Sequence, residues 1–77
     1  MKTVDLYTIS DCTYCVMAKK FLDARNVLYH EYDVMKDMAA RERMIAISHQ
    51  RGVPVIDLGD EVFVGFNRAE LEKALGR

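Results

Sequence analysis

The two cysteines of the chain, Cys12 and Cys15, are separated by only two residues. Residues 3–9, which precede them, are rich in β-branched and apolar side chains, as expected of a strand. Residues 16–25, which follow them, carry apolar side chains at helical spacing. The sequence therefore predicts that a strand turns into a helix at this point. Both thiols are expected on neighbouring positions of one helical face, close enough to form a disulfide.

The predicted helix start gives the two cysteines different chemical roles. A helix N-terminus carries about half a positive charge and several unpaired N–H donors, which stabilise a thiolate. The thiolate is the nucleophile in disulfide exchange, so Cys12, the outer cysteine, is the expected nucleophile. Cys15 lies one turn inside the helix, where we expect it to be better covered. It would attack the mixed disulfide on Cys12 and release the reduced substrate. This pattern indicates a dithiol redox site.

Length and charge limit the classes of protein that the chain can belong to. Its 77 residues suffice for one domain, residues 1–77, with a single small core. A net charge of −1 gives no electrostatic footprint for nucleic acid or an anionic membrane surface. No apolar run is long enough to span a bilayer, and residues 1–5 lack the apolar segment of a signal peptide. We expect a cytoplasmic, reduced monomer.

The remaining pattern predicts four strands and three helices in the order βαβαββα, which is an α/β fold. The predicted strands are residues 3–9, 28–34, 53–58 and 62–64. The first two should be parallel, joined by a right-handed crossover, and the last two should form an antiparallel hairpin. The first helix is predicted over 13–25 and the second over 38–49. A last helix should end before Gly76.

Polar residues mark the helix starts. Asp37 is the predicted N-cap of the second helix. Asn67, with Glu70 three residues later, is a variant of the capping box before the last helix. The side chains that we expect these two helices to bury are Ala40, Met44, Ile47, Ser48, Leu71, Ala74 and Leu75.

Three motifs stand at fixed places in this order of elements. They are the C-x-x-C after the first strand, Val53-Pro54 at the start of the third, and Val64-Gly65-Phe66 before the last helix. With them the chain resembles the glutaredoxin family of the thioredoxin fold over nearly its whole length. It is most similar to the short redoxins of the NrdH and YruB types. The resemblance implies a four-stranded mixed sheet flanked by three helices.

The resemblance also implies an activity and roles for particular residues. It makes Cys12 the nucleophile and Cys15 the resolving thiol of a thiol–disulfide oxidoreductase that reduces protein or low-molecular-weight disulfides. It places a cis bond between Val53 and Pro54, with the Val53 backbone pairing with an extended substrate. It implies no bound cofactor. The electron donor is glutathione, as a co-substrate, or a flavoprotein of the thioredoxin-reductase type.

Departures from the family pattern concern the glutathione site. Thr13 replaces the usual proline, and its N–H or hydroxyl is a candidate hydrogen-bond donor to the Cys12 sulfur. Ile9 stands where many members have a basic residue. Gln50, Arg51 and the helix start near Asn67 remain as candidate carboxylate ligands. The full set of predicted substrate-binding residues is Thr13, Tyr14, Gln50, Arg51, Val53, Pro54, Gly65, Phe66 and Asn67.

Several alternatives stay open at this point. Tyr14 either flanks the substrate or is an ordinary surface tyrosine, and Phe66 either contacts a partner or packs in the core. His30 and His49 lack the spacing of zinc ligands, so no metal site is predicted. An alternative function is metal handling, in which two copies share an iron–sulfur cluster through Cys12. Another is a non-catalytic adaptor that binds extended peptides in the groove around Pro54.

Overall fold

Strands and helices follow one another in the predicted order βαβαββα. The computed structural model describes residues 3–76. The strands are β1 (Val4–Thr8), β2 (Tyr29–Asp33), β3 (Val55–Asp57) and β4 (Val62–Val64). The helices are α1 (Thr13–Ala24), α2 (Met38–Ser48) and α3 (Arg68–Leu75). None of these helices combines the length and apolar character that a membrane-spanning helix requires.

The strands form one mixed sheet in the order β2-β1-β3-β4. β1 and β2 are parallel, whereas β3 is antiparallel to both β1 and β4. These pairings confirm the predicted crossover and hairpin. They also bring three strand ends together, because Tyr7 pairs with Val55 and Val55 pairs with Val64. The C-terminal end of β1, the N-terminal end of β3 and the C-terminal end of β4 therefore lie at the same end of the sheet.

Helices cover both faces of the sheet. Neighbouring residues of β1 point to opposite faces, so Leu6 and Tyr7 belong to different clusters of buried side chains. The first cluster joins Leu6 and Ile56 to helices α1 and α3, through residues such as Leu22 and Leu71. The second joins Tyr7 and Val55 to Ala40 and Met44 of α2.

Both predicted polar caps are present. The Asp37 carboxylate accepts a hydrogen bond from the Ala40 N–H at 3.0 Å, and the Asn67 side chain accepts one from the Glu70 N–H at 3.2 Å. Helix α1 ends at Ala24, one residue before the predicted end. Helix α2 ends at Ser48, because His49 adopts the left-handed conformation with φ 60°.

The buried stripes of α2 and α3 are narrower than predicted. Ala40, Met44 and Leu71 are fully buried. The hydroxyl of Ser48, which is only half-buried, donates to the Met44 carbonyl and to the Gln50 carbonyl. Ala74 and Leu75 are also half-buried. They line a surface depression next to Val4, Val27 and Leu58.

Candidate active site

The sulfur of Cys12 is the N-cap of helix α1. Cys12 has an extended backbone (φ −121°, ψ 110°), and its Sγ accepts a hydrogen bond from the Cys15 N–H at 3.2 Å. Its carbonyl accepts from the Val16 N–H at 3.1 Å, as the first bond of the helix. The positive end of the helix dipole is therefore directed at this sulfur. The Thr13 N–H and hydroxyl, which we expected as donors, make no described bond to it; the donor is the Cys15 backbone.

The two thiols differ in their access to solvent. Both are free, Cys12 is half-buried, and Cys15 has only 1% of its surface exposed. This difference is the one predicted from the sequence. A substrate can therefore reach Cys12 directly. The Cys15 thiol is covered, so a substrate in solution does not reach it directly.

Burial also sets the protonation state of the inner thiol. Burial, together with the hydrogen bond to Cys12, raises the pKa of the Cys15 thiol to about 11. A hydrogen bond from the Ile9 backbone and the positive charge of Lys19 lower this pKa, but their effect is smaller. Cys15 is consequently a protonated thiol at neutral pH, ready to supply a proton when it reacts.

A short chain of polar contacts holds Lys19 next to the cysteines. The Lys19 ammonium lies 3.1 Å from Oε2 of Glu31, and the same oxygen accepts a hydrogen bond from the Thr8 hydroxyl at 2.9 Å. Thr8 is 2% exposed, so the carboxylate is fixed from below by a buried donor. No functional role of Thr8 or Glu31 was predicted from the sequence. Their contact depends on the register of β2 against β1, which no local pattern reveals.

The side chain of Gln50 stabilises the loop before Pro54 through hydrogen bonds. Its amide nitrogen donates to the Ser48 hydroxyl at 3.2 Å and to the Gly52 carbonyl at 3.1 Å, and its amide oxygen accepts from the Gly52 N–H at 2.6 Å. A Cβ at position 52 would lie 2.8 Å from that oxygen, so a larger residue there would require the Gln50 side chain to shift. Gln50 therefore has its amide engaged within the loop, and Arg51 is the exposed candidate for binding a carboxylate.

The Val53–Pro54 peptide bond is cis, and Pro54 is buried. The Pro54 carbonyl accepts a hydrogen bond from the Gly65 N–H at 2.7 Å, which joins two of the predicted motifs. Gly65 has φ 78°, a conformation that favours glycine. The end of β1, which leads to Cys12, and the start of β3, which follows Pro54, lie at the same end of the sheet. The loops that carry Cys12 and Pro54 therefore lie at the same end of the molecule.

The other predicted residues have varied environments. Tyr14 is 60% exposed, and Thr13 is exposed at the helix start. Val53 is half-buried, and Asn67 uses its side chain to cap α3. Phe66 makes an edge-to-face contact with Phe21, with ring centroids 5.8 Å apart, so its ring packs against α1.

The two cysteines lie in the wall of an open surface depression with a volume of about 410 Å³. It is lined by Ile9, Ser10, Asp11, Cys12, Thr13, Cys15, Val16 and Lys19. Among residues 3–76, no three or more His, Cys, Asp or Glu side chains are grouped so as to hold a metal ion. The site thus combines the accessible sulfur of Cys12, the buried thiol of Cys15 and the segment with the cis Val53–Pro54 bond.

Comparison with known proteins agrees with this geometry. The glutaredoxin-like 8.6 kDa protein of the rubredoxin operon of Clostridium pasteurianum is 36% identical over 72 residues, which are 94% of this chain and 96% of that protein. A thioredoxin-like protein of known crystal structure is 39% identical in sequence to this chain, with a TM-score of 0.88. The match covers 94% of this chain and 99% of that protein's chain. NrdH-redoxin from Escherichia coli is 26% identical, with a TM-score of 0.82 and coverage of 95% and 93%.

The family assignment rests on the sequence match over most of the chain. The family model described as Glutaredoxin matches residues 4–63, which include both cysteines, the cis proline and the whole four-stranded sheet except Val64. The thioredoxin fold and the redox-active cysteine pair are those of the solved relatives. The chain therefore belongs to the glutaredoxin family.

Proposed function

We propose that this protein is a small thiol–disulfide oxidoreductase that reduces disulfides of proteins or small molecules. One observation carries the proposal. The half-buried sulfur of Cys12 caps helix α1, and the buried Cys15 thiol lies directly behind it. The members of the glutaredoxin family are thiol oxidoreductases, which supports the assignment.

The first step takes place at Cys12. Its thiolate attacks one sulfur of the substrate disulfide, a Cys12–substrate S–S bond forms, and the substrate S–S bond breaks. The leaving thiolate takes up a proton. The Cys15 N–H and the dipole of α1 stabilise the attacking thiolate before this step.

The second step takes place at Cys15. Its thiol loses a proton and attacks the Cys12 sulfur, so that a Cys12–Cys15 disulfide forms and the second substrate thiolate leaves and is protonated. The substrate gains two electrons and two protons. The protein supplies both electrons and the Cys15 proton, and the second proton, which Cys12 released when it ionised, comes from the solvent. Because burial raises the pKa of the Cys15 thiol, its proton must be removed before or as it attacks. An external two-electron donor then reduces the new disulfide.

We infer that an extended substrate binds along the backbone of Val53, next to Pro54. Val53 is half-buried at the same end of the molecule as Cys12. Backbone pairing with Val53 would lay a peptide disulfide across this end of the sheet, while Tyr14, exposed on α1, would flank it.

We infer that the electron donor is a flavoprotein of the thioredoxin-reductase type rather than glutathione. The amide of Gln50 is engaged inside its own loop, and the half-buried Ile9 offers no charge to a carboxylate. The E. coli relative is described as a glutaredoxin-like protein with a thioredoxin-like activity profile. The comparisons do not favour the alternative of cluster binding through Cys12.

Substitution of the cysteines tests the proposed reaction. We expect Cys12→Ser to abolish reduction of a protein disulfide, because serine supplies no sulfur for exchange. We expect Cys15→Ser to accumulate a mixed disulfide on Cys12, because the resolving thiol is missing. Mass spectrometry under non-reducing conditions identifies the adduct. Turnover retained in Cys12→Ser would contradict the proposal.

The donor is tested by coupled NADPH consumption with the wild-type protein. One assay contains glutathione and glutathione reductase, and the other contains thioredoxin reductase, each with the same disulfide substrate. We expect a rate that depends on this protein only in the second assay. A clear rate in the first would show instead that Arg51 and the Asn67 helix start still bind glutathione.

A further inference from the structure

We propose that Asp11 makes this active site discriminate between disulfides by charge, favouring those with a positive group beside the disulfide and disfavouring anionic ones. The inference rests on the proposed function, because it concerns the substrate that reaches Cys12. It assigns a specificity role to a residue that the reaction itself does not use.

Asp11 is held in place directly before the reactive sulfur. It precedes the N-cap residue Cys12 and lines the same depression. Its backbone has φ 56°, the left-handed conformation that aspartate and asparagine tolerate better than most residues. The side chain is exposed, so its carboxylate acts on a substrate through water.

The other charges around the depression leave the charge of Asp11 uncompensated. Of the described residues that line it, only Lys19 is cationic, and the Lys19 ammonium is paired with Glu31 at 3.1 Å. Among the described residues, Asp11 makes no ion pair. Ile9, which also lines the depression, is uncharged. The charges of the depression, which are those of Asp11 and of Lys19 with its partner Glu31, therefore sum to one net negative charge.

The expected size of the effect follows from Coulomb's law. A unit charge on the substrate about 7 Å from the carboxylate, in water, changes the rate by about threefold. The Debye length is about 8 Å at physiological ionic strength, so the effect is largest in dilute buffer and fades with added salt. The partial positive charge of the α1 N-terminus acts on every substrate equally and remains in all variants.

Three small disulfides test the inference: cystamine, which is positively charged, bis(2-hydroxyethyl) disulfide, which is neutral, and dithiodiglycolate, which is negatively charged. The fully reduced protein reacts with each in a single turnover, without any reductase, and quenched samples are quantified by mass spectrometry. Because the leaving thiols differ in intrinsic reactivity, each rate is compared between proteins and normalised to the neutral disulfide.

We expect Asp11→Asn to lower the ratio of the cystamine rate to the dithiodiglycolate rate by about fivefold to tenfold at low ionic strength. Asparagine accepts the left-handed conformation, so the backbone before Cys12 is kept. The matched control is Glu42→Gln, which removes the same charge from an exposed position on α2, across the sheet, and should leave the ratio unchanged. Lys19→Gln should raise the ratio.

The outcomes separate this inference from the function on which it rests. An unchanged ratio in Asp11→Asn, with normal reduction of the neutral disulfide, would overturn the charge selection and leave the oxidoreductase assignment intact. An equal fall of the ratio in Glu42→Gln would overturn it as well, because net charge alone would then explain the effect. Failure of the wild-type protein to reduce any of the three disulfides would instead contradict the proposed function.

Discussion

Sγ of Cys12 both caps helix α1 and is the sulfur that we propose to react. Ser, Thr, Asp and Asn are the usual N-caps, yet here Sγ of Cys12 accepts the capping bond from Cys15. The bond that completes the helix start therefore also holds the proposed nucleophile at the positive end of the helix. The position of this atom was predictable from local sequence, because the strand-to-helix transition and the C-x-x-C spacing are both visible within 15 residues.

Other features at the residue scale were not predictable, and the reason is physical. Gln50 was a candidate carboxylate ligand, but its amide closes a loop with Ser48 and Gly52. Loop geometry of this kind depends on backbone angles that residue type does not fix. The contact from Thr8 to Glu31 joins residues 23 positions apart and exists only after β1 and β2 have paired.

Titration of Cys15 should destabilise the reduced protein at high pH. Burial raises the pKa of this thiol from its ordinary value of 9.0 to about 11, so the folded state holds the proton more tightly than the unfolded chain. The resulting stabilisation is complete below pH about 9 and is lost as the pH rises from about 9 through 11. Urea unfolding of the reduced protein at several pH values measures it.

Cys15→Ser is the matched control for this titration, since serine does not ionise in the range. Its stability should fall less steeply between pH 9 and 11 than that of the wild type. Lysines and tyrosines titrate in both proteins and cancel in the comparison. Parallel pH dependences would refute the raised pKa.

At the scale of elements, the order βαβαββα, the parallel pairing of the first two strands and the final hairpin were predicted, and the ends were less exact. Strand β3 begins at Val55 instead of residue 53. Pro54 has no N–H to donate to a ladder, so the strand does not extend back through it. The predicted hairpin and all three helices are present, because their signals are periodic apolar side chains and polar caps within one segment.

The cap of α2 should contribute measurably to stability. Asp37→Ala removes the acceptor of the 3.0 Å bond from the Ala40 N–H and should lower the free energy of unfolding by about 1 kcal/mol. Asp37→Asn keeps a good capping side chain and should lose much less. Chemical denaturation of the three proteins in parallel gives the comparison, and equal losses in both variants would show that charge, and not the cap, is responsible.

At the scale of the whole molecule, two small clusters of buried side chains share one thin sheet. Their division follows from the alternation of β1, but which helix covers which face depends on the handedness of the crossover and on the final hairpin. The class of fold was predictable from the element order together with the three motifs. The narrow buried stripes of α2 and α3 were not, because they depend on how far each helix extends over the sheet.

Neither cluster should tolerate a cavity. Leu71 is fully buried and links α3 to the cluster of Leu6 and Ile56. Leu71→Ala should therefore lower the free energy of unfolding by about 2–5 kcal/mol. Met35→Ala, at a position that is 72% exposed, should change it by about 0.5 kcal/mol or less. A loss at Leu71 as small as that at Met35 would contradict this description of the core.

The hydrogen-bonded ring that Gln50 makes with Ser48 and Gly52 has a further consequence, which concerns entropy. A free loop must give up conformational freedom each time a partner binds, and that loss weakens the complex. Here the freedom of the chain before Pro54 is already given up during folding. Under the proposed function, each disulfide substrate would therefore meet a docking surface that is already in its final shape.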